Sequence, residues 1–201
     1  MEQLLSIEYG SFYENYIEKA SNYNSILEGL EETKNDLISF YKNLPETKLM
    51  YQYDVDKWTP KDILLHLIDS ERIFAYRALR IARNDKTSLP GFEENDYVPQ
   101  ANANARDLSD LLEEFISVRV STFTLFKSFS EEQLLRIGKA SNNPVSVRAI
   151  GYITIGHALH HKQIIEERYL FFRLFRHVHH HLNEMNFLYL NFPNCYFLSI
   201  R

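Results

Sequence analysis

A single cysteine in 201 residues, Cys195, excludes an intrachain disulfide and a cysteine-based zinc knuckle, so any metal must be held by histidine and carboxylate. No apolar run approaches the ~20 residues that a membrane-spanning helix needs. The opening Met1-Glu2-Gln3-Leu4-Leu5 lacks the basic start and apolar run of a secretion signal, and a cytoplasmic protein without a membrane partner is expected. Positive charge is not in excess either. Lys and Arg number 22 against 27 Asp and Glu, a net charge of −5, which speaks against a nucleic-acid partner because such binding is dominated by phosphate neutralisation. Strand-like alternation is scarce before the last thirty residues.

What the chain does have is 45% hydrophobic residues, enough for one domain with a sizeable core, recurring at helical spacing. Residues 1–20 suggest a short leading helix. Ile26, Leu27, Leu30, Leu37 and Tyr41 form the stripe of a first main helix over about Ser21 to Leu44, ended by Pro45. The second has the clearest start: Thr59 suits the N-cap, Pro60 the first helical position, and Asp62 the positive helix end, with a run to about Arg83. From Asn84 to Asn104, the breakers Asp85, Pro90, Gly91, Asn95, Pro99 and Asn102 predict a long crossover loop. A third helix is expected from Ala105 to Phe129, with Leu108, Leu111, Leu112, Phe115, Val118 and Phe126 inward, and Ser130-Glu131-Glu132 opens a short turn. After the break at Asn142-Asn143-Pro144, Ser146 caps a fourth helix reaching about Leu170. The fold class is therefore all-α, a four-helix bundle with a long crossover between its second and third helices.

The best functional clue is Gly156-His157-Ala158-Leu159-His160-His161. Residues i and i+4 of a helix are offset by only about 40°, so His157 and His161 can reach one ion. His66 in the second helix completes a three-nitrogen face if the second and fourth helices are neighbours. His160 lies three residues after His157, and helical geometry alone does not rank it below His161. Imidazole ligands suit zinc, nickel, copper or iron rather than magnesium or calcium, and three of them leave room for water or substrate. A metal there lowers the pKa of a bound water or thiol until a nucleophile exists near neutral pH. Asp62 and Asp69 are the nearest carboxylates to accept a second ring N–H from His66. Trp58 reads as a packing residue, Glu71 and Arg72 as part of a solvated or interhelix charge cluster, and Phe92, Glu93 and Tyr97 as loop anchors near a pocket mouth.

Trp58-Thr59-Pro60-Lys61-Asp62-Ile63-Leu64-Leu65-His66-Leu67-Ile68-Asp69, Gly156-His157-Ala158-Leu159-His160-His161 and the intervening Leu89-Pro90-Gly91-Phe92-Glu93-Glu94-Asn95-Asp96-Tyr97 resemble motifs of the DinB/YfiT-like metal-binding four-helix bundles, a resemblance covering about residues 24–170. It implies a divalent ion, commonly zinc or nickel, held by His66, His157 and His161 with water completing the shell, and it favours His161 over His160. Some members of that family are transferases or isomerases using low-molecular-weight thiols; others are called metal-dependent hydrolases with no assigned substrate. The resemblance thus implies an enzyme of the thiol S-transferase or hydrolase kind acting on a small molecule. The alternative is a non-catalytic bundle that a metal stabilises or that senses the metal. Residues 1–170 are expected to form the bundle and 171–201 an extension that departs from the family pattern. That extension carries eight aromatics and four histidines, including His179-His180-His181. An added helix through about Leu190 is expected there, covering apolar surface on the bundle or in a homodimer; a rival metal site at His177 and His179 to His181 ranks below the bundle's histidines.

Overall fold

The computed structural model describes residues 4–170. Two 3₁₀ turns, Ser6–Glu8 and Ser11–Tyr13, lead into a short helix α1 (Glu14–Lys19), followed by α2 (Ile26–Asn43) and a single turn α3 (Glu46–Leu49). Helix α4 (Pro60–Ala82) comes next, then α5 (Glu94–Ala101), α6 (Leu108–Lys127) and another single turn α7 (Glu131–Leu134). A hairpin of β1 (Ile137–Ala140) and β2 (Asn143–Ser146) precedes α8 (Val147–Ile165), whose end widens into a π-helical turn over Glu166–Leu170. No described helix is long and apolar enough to cross a membrane.

Helices α2, α4, α6 and α8 form the four-helix bundle, and the starts of α2, α4 and α8 are set by side-chain caps. Thr59 caps α4 as a capping box with Asp62: the Asp62 backbone N–H donates to Thr59 Oγ1 (3.1 Å) and the Thr59 N–H to Asp62 Oδ2 (2.9 Å). Ser146 likewise caps α8 through the Ala149 N–H. The first main helix begins at Ile26 rather than Ser21, because the side chain of Ser25 accepts from the Glu28 N–H and fixes the start there.

Cross-helix contacts fix the directions. Asp62 bonds Asn104, Arg72 pairs with Glu114 (2.6 Å) and Arg119 with Glu71 (2.8 Å), so α4 and α6 run parallel. Gly151 lies against Ile26 and Lys162 pairs with Asp36 (2.7 Å), so α2 and α8 are parallel too. By contrast, Trp58 receives a hydrogen bond from Tyr169 while His66 faces His161 and Phe74 faces His157, which makes α4 and α8 antiparallel neighbours. The order is up, down, down, up. A chain leaving the 23-residue α4 must travel back about 35 Å before α6 can start in the same direction, which is why the crossover is long.

That crossover is not the continuous loop expected from its breakers. Residues Glu94–Ala101 are helical, capped by the side chain of Glu93 on the Asn95 N–H (3.3 Å) and ended by Asn102 in the left-handed conformation (φ 52°). Pro99 costs α5 one backbone hydrogen bond, tolerable in a helix of two turns. The hairpin was also not expected: Ser141 (φ 49°) and Asn142 (φ 64°) make a tight left-handed turn, and Pro144 sits on a strand with only one partner. Leu89 bridges to Ala140, and Arg77 donates to the Pro90 carbonyl (2.8 Å) and Ser141 Oγ (3.0 Å), tying the crossover to the hairpin.

Two apolar clusters fill the bundle. One includes Ile26, Leu30, Phe74, Ile150, Ile153 and Ile155; the other includes Leu37, Ile63, Leu64, Ile68, Phe115, Ala158 and Ile165. Between them lies a polar level of His66, Ser70 and Glu71 from α4, Thr33 from α2, Arg119 from α6 and His157 from α8, all buried. The extension expected over 171–201, with its histidines, lies outside the described residues.

Candidate metal centre

His66 and His157, 91 positions apart, meet with Nε2 to Nε2 at 3.0 Å. The His161 ring lies 4.9 Å from that of His66 and 4.6 Å from that of His157, and one donor atom from each of the three falls within 4.8 Å of the others. The i, i+4 spacing on α8 and the antiparallel contact with α4 produce this arrangement. His160 turns away: its ring faces Tyr16 (5.3 Å), and its Nδ1 lies 3.4 Å from Asn15 Nδ2.

Burial governs the electrostatics, because taking an imidazolium out of water disfavours the charged form. It pushes His66 down to about 4. His157 and His161 are held well below the usual histidine range, by burial first and by neighbouring histidines second. All three imidazoles are neutral at neutral pH, the form that ligates metals. Two further observations fit a shared cation. The His161 Nδ1 is buried with no hydrogen-bond partner, and two ring nitrogens approach to 3.0 Å where at most one proton can lie between them.

The surroundings differ in part from expectation. Neither Asp62 nor Asp69 accepts from His66. Asp62 is engaged by Thr59 and Asn104, since the capping box already claims its oxygens, and Asp69 turns toward Arg72 (3.5 Å). The partner of His66 Nδ1 is instead Ser70 Oγ at 3.4 Å, one turn onward on the same helical face, which the sequence reading did not single out. Glu71 and Arg72 both enter interhelix charge pairs with α6, but separate ones, because residues adjacent in a helix point apart. Glu71 accepts from Arg119, which also donates to the Leu30 carbonyl (3.1 Å) and Thr33 Oγ1 (2.7 Å); Arg72 joins Glu114. Trp58 packs as expected, but against the cluster itself, with its ring 4.8 Å from His66 and stacked 6.4 Å from His161. Tyr16 and Phe74 close on His157 at 5.3 and 5.7 Å, and neither was flagged by any motif.

Beside the centre, α4 and the crossover border a small open cavity, lined by His66, Leu65, Asp69, Phe92, Tyr97 and Val98 among others. Phe92 and Tyr97 pair at 5.4 Å in its wall, while Glu93 serves as the cap of α5.

Residues 29–165, spanning α2 to the end of α8, match the family model of the DinB superfamily. The chain belongs to the DinB superfamily. Among curated protein sequences, none matches it. A solved structure similar to this DinB-superfamily chain is YfiT from Bacillus subtilis, described as a probable metal-dependent hydrolase with an unusual four-helix bundle topology; it shares 16% identity at a TM-score of 0.64, over 83% of this chain and 89% of that one. At that identity the likeness establishes the fold.

Proposed function

We propose that His66, His157 and His161 hold a divalent transition metal, zinc or nickel, and that the protein is an enzyme activating a thiol or a water against a small molecule. A low-molecular-weight thiol as co-substrate is favoured, which makes the activity thiol-dependent transfer, with hydrolysis second. The observation that carries this reading is the convergence of three neutral imidazoles, two buried and one half-buried, within 4.8 Å, with the buried His161 Nδ1 unpartnered. Superfamily membership and the metal dependence ascribed to YfiT support it.

A bound divalent ion supplies Lewis acidity that lowers the pKa of a coordinated water or thiol. The protein's own contribution is positional. Ser70 holds the His66 ring through Nδ1, while Trp58, Phe74 and Tyr16 pack its neighbours and keep bulk water off them. No fourth His, Cys, Asp or Glu joins the group among the described residues, so a coordination position is left for substrate. The deep burial of His66 and His157 favours a second reading, a metal that chiefly stabilises the bundle.

The test is metal content by elemental mass spectrometry on untagged wild type and on His66→Ala, His157→Ala and His161→Ala. Near-stoichiometric transition metal in wild type, lost in each variant, is expected. Wild type that arrives metal-free and binds neither added zinc nor nickel overturns the proposal. An enzyme then turns over small thiols with an electrophile only when loaded, whereas the stabilising role gives a metal-dependent melting temperature and no turnover.

A further inference from the structure

We infer that the cavity between α4 and the crossover is the substrate pocket of the histidine centre, and that Asp69 within it selects small molecules bearing an ammonium group. The inference rests on the metal reading above and names the substrate class for it.

The cavity shares His66 with the centre, so a ligand in it lies against one of the three rings. Its walls carry no lysine or arginine. The polar lining is Asp62, Asp69, His66 and Tyr97, set among Leu65, Phe92 and other apolar groups. Of the two carboxylates, Asp62 is fully engaged by Thr59 and Asn104. Asp69 is not: it receives only the long 3.5 Å contact from Arg72, whose guanidinium is drawn to Glu114 at 2.6 Å. Arg106 and Glu114 also stand near Asp69, and Arg77 lies over the Phe92 ring at 5.8 Å, while Glu94 and Asp96 sit in the first turn of α5. A partly buried carboxylate facing an aromatic pair is the setting in which an ammonium is held by charge and by ring faces together.

Spacing sets the size. His66 and Asp69 are three residues apart on one helical face, with Cβ atoms about 5–6 Å from each other, so one short molecule can place a nucleophilic end at the centre and a cationic end at the carboxylate. An anionic analogue meets Asp69 with like charge in the same place, and specificity arises from that repulsion as much as from the attraction.

The experiment titrates the cobalt(II)-loaded protein with thiocholine, 2-mercaptoethanol and 3-mercaptopropionate, following the thiolate-to-cobalt absorption. Thiocholine is chosen because its quaternary ammonium cannot itself ligate a metal. We expect thiocholine to bind about tenfold or more tightly than 3-mercaptopropionate, with 2-mercaptoethanol between, and the ratio to shrink with added salt. Asp69→Asn brings the ratio to within about twofold, and Tyr97→Leu weakens thiocholine selectively. Three thiols of equal affinity, or an order that survives Asp69→Asn, overturn the inference and leave the metal reading standing. Cobalt that binds but gives no thiolate band with any of the three defeats the thiol reading itself, and the inference with it.

Discussion

The carbonyl oxygen of Tyr16 occupies the space that a Cβ on Gly156 would need. Backbone meets backbone there, which seats α1 directly on α8 and lays the Tyr16 ring against His157 one residue further on. Only glycine permits that approach, because the obstacle is main chain and cannot rotate aside. Gly156→Ala is therefore expected to lift α1 and destabilise the fold by ~1–3 kcal/mol, the usual cost of overpacking. Urea denaturation of the variant against wild type measures it; an unchanged midpoint would mean that α1 is not seated as described.

The buried pair of Glu71 and Arg119 gives a second expectation. Both are nearly inaccessible, and Arg119 spends its remaining donors on Leu30 and Thr33. Arg119→Met alone strands a buried carboxylate and should cost ~3–5 kcal/mol, whereas Arg119→Met with Glu71→Leu should recover most of the loss. A double-mutant cycle by chemical denaturation decides it, and additive costs would show the two charges to be uncoupled.

Stability of the metal-free protein should depend on acidity through the same histidines. Burial lowers the folded pKa of His66 to about 4, and lowers His157 and His161 as well, while the unfolded rings titrate near 6.5. Between those values the unfolded chain binds more protons than the folded one, so stability is intact above about pH 6.5 and falls as the pH drops toward 4. From His66 alone the loss amounts to ~3 kcal/mol, at about 1.4 kcal/mol per unit. Melting temperatures of metal-free protein should decline from pH 7 down to pH 4, and the decline should be smaller in His66→Ala; a flat profile would contradict the burial of these rings.

His160 and His161 should behave differently despite adjacency. His160 faces Tyr16 and Asn15, so His160→Ala should keep its metal while His161→Ala loses it. Metal-to-protein ratios after identical purification compare them directly, and the opposite outcome would exchange their roles.

Much of this was legible in the chain because caps and periods act locally. Thr59, Pro60 and Asp62 announced the start of α4 by hydrogen bonds within one turn, and the i, i+4 spacing of His157 and His161 put both rings on one face. What the residues hid is set by tertiary contact. Asp62 and Asp69 were close to His66 in sequence, but a capping box and an arginine on the same helix claimed them. The hairpin rests on left-handed Ser141 and Asn142, which carry no glycine to advertise it. Helix α5 forms in spite of Pro99, because α4 offers it an apolar face to cover. Tyr16 and Phe74 reach the centre only through the packing of α1 and α4 on α8.

The parallel course of α4 and α6 has a consequence for how such a protein can change. Because the two helices point the same way, residues 84–107 are obliged to run back along the length of α4, past His66, whatever their composition. The histidines belong to α4 and α8, whereas the opposite wall of the cavity belongs to this returning segment. On the reading proposed above, recognition is shared between Asp69 on α4 and this returning segment, and substitutions between Phe92 and Ala101 reshape that wall of the cavity without touching any of the three histidines.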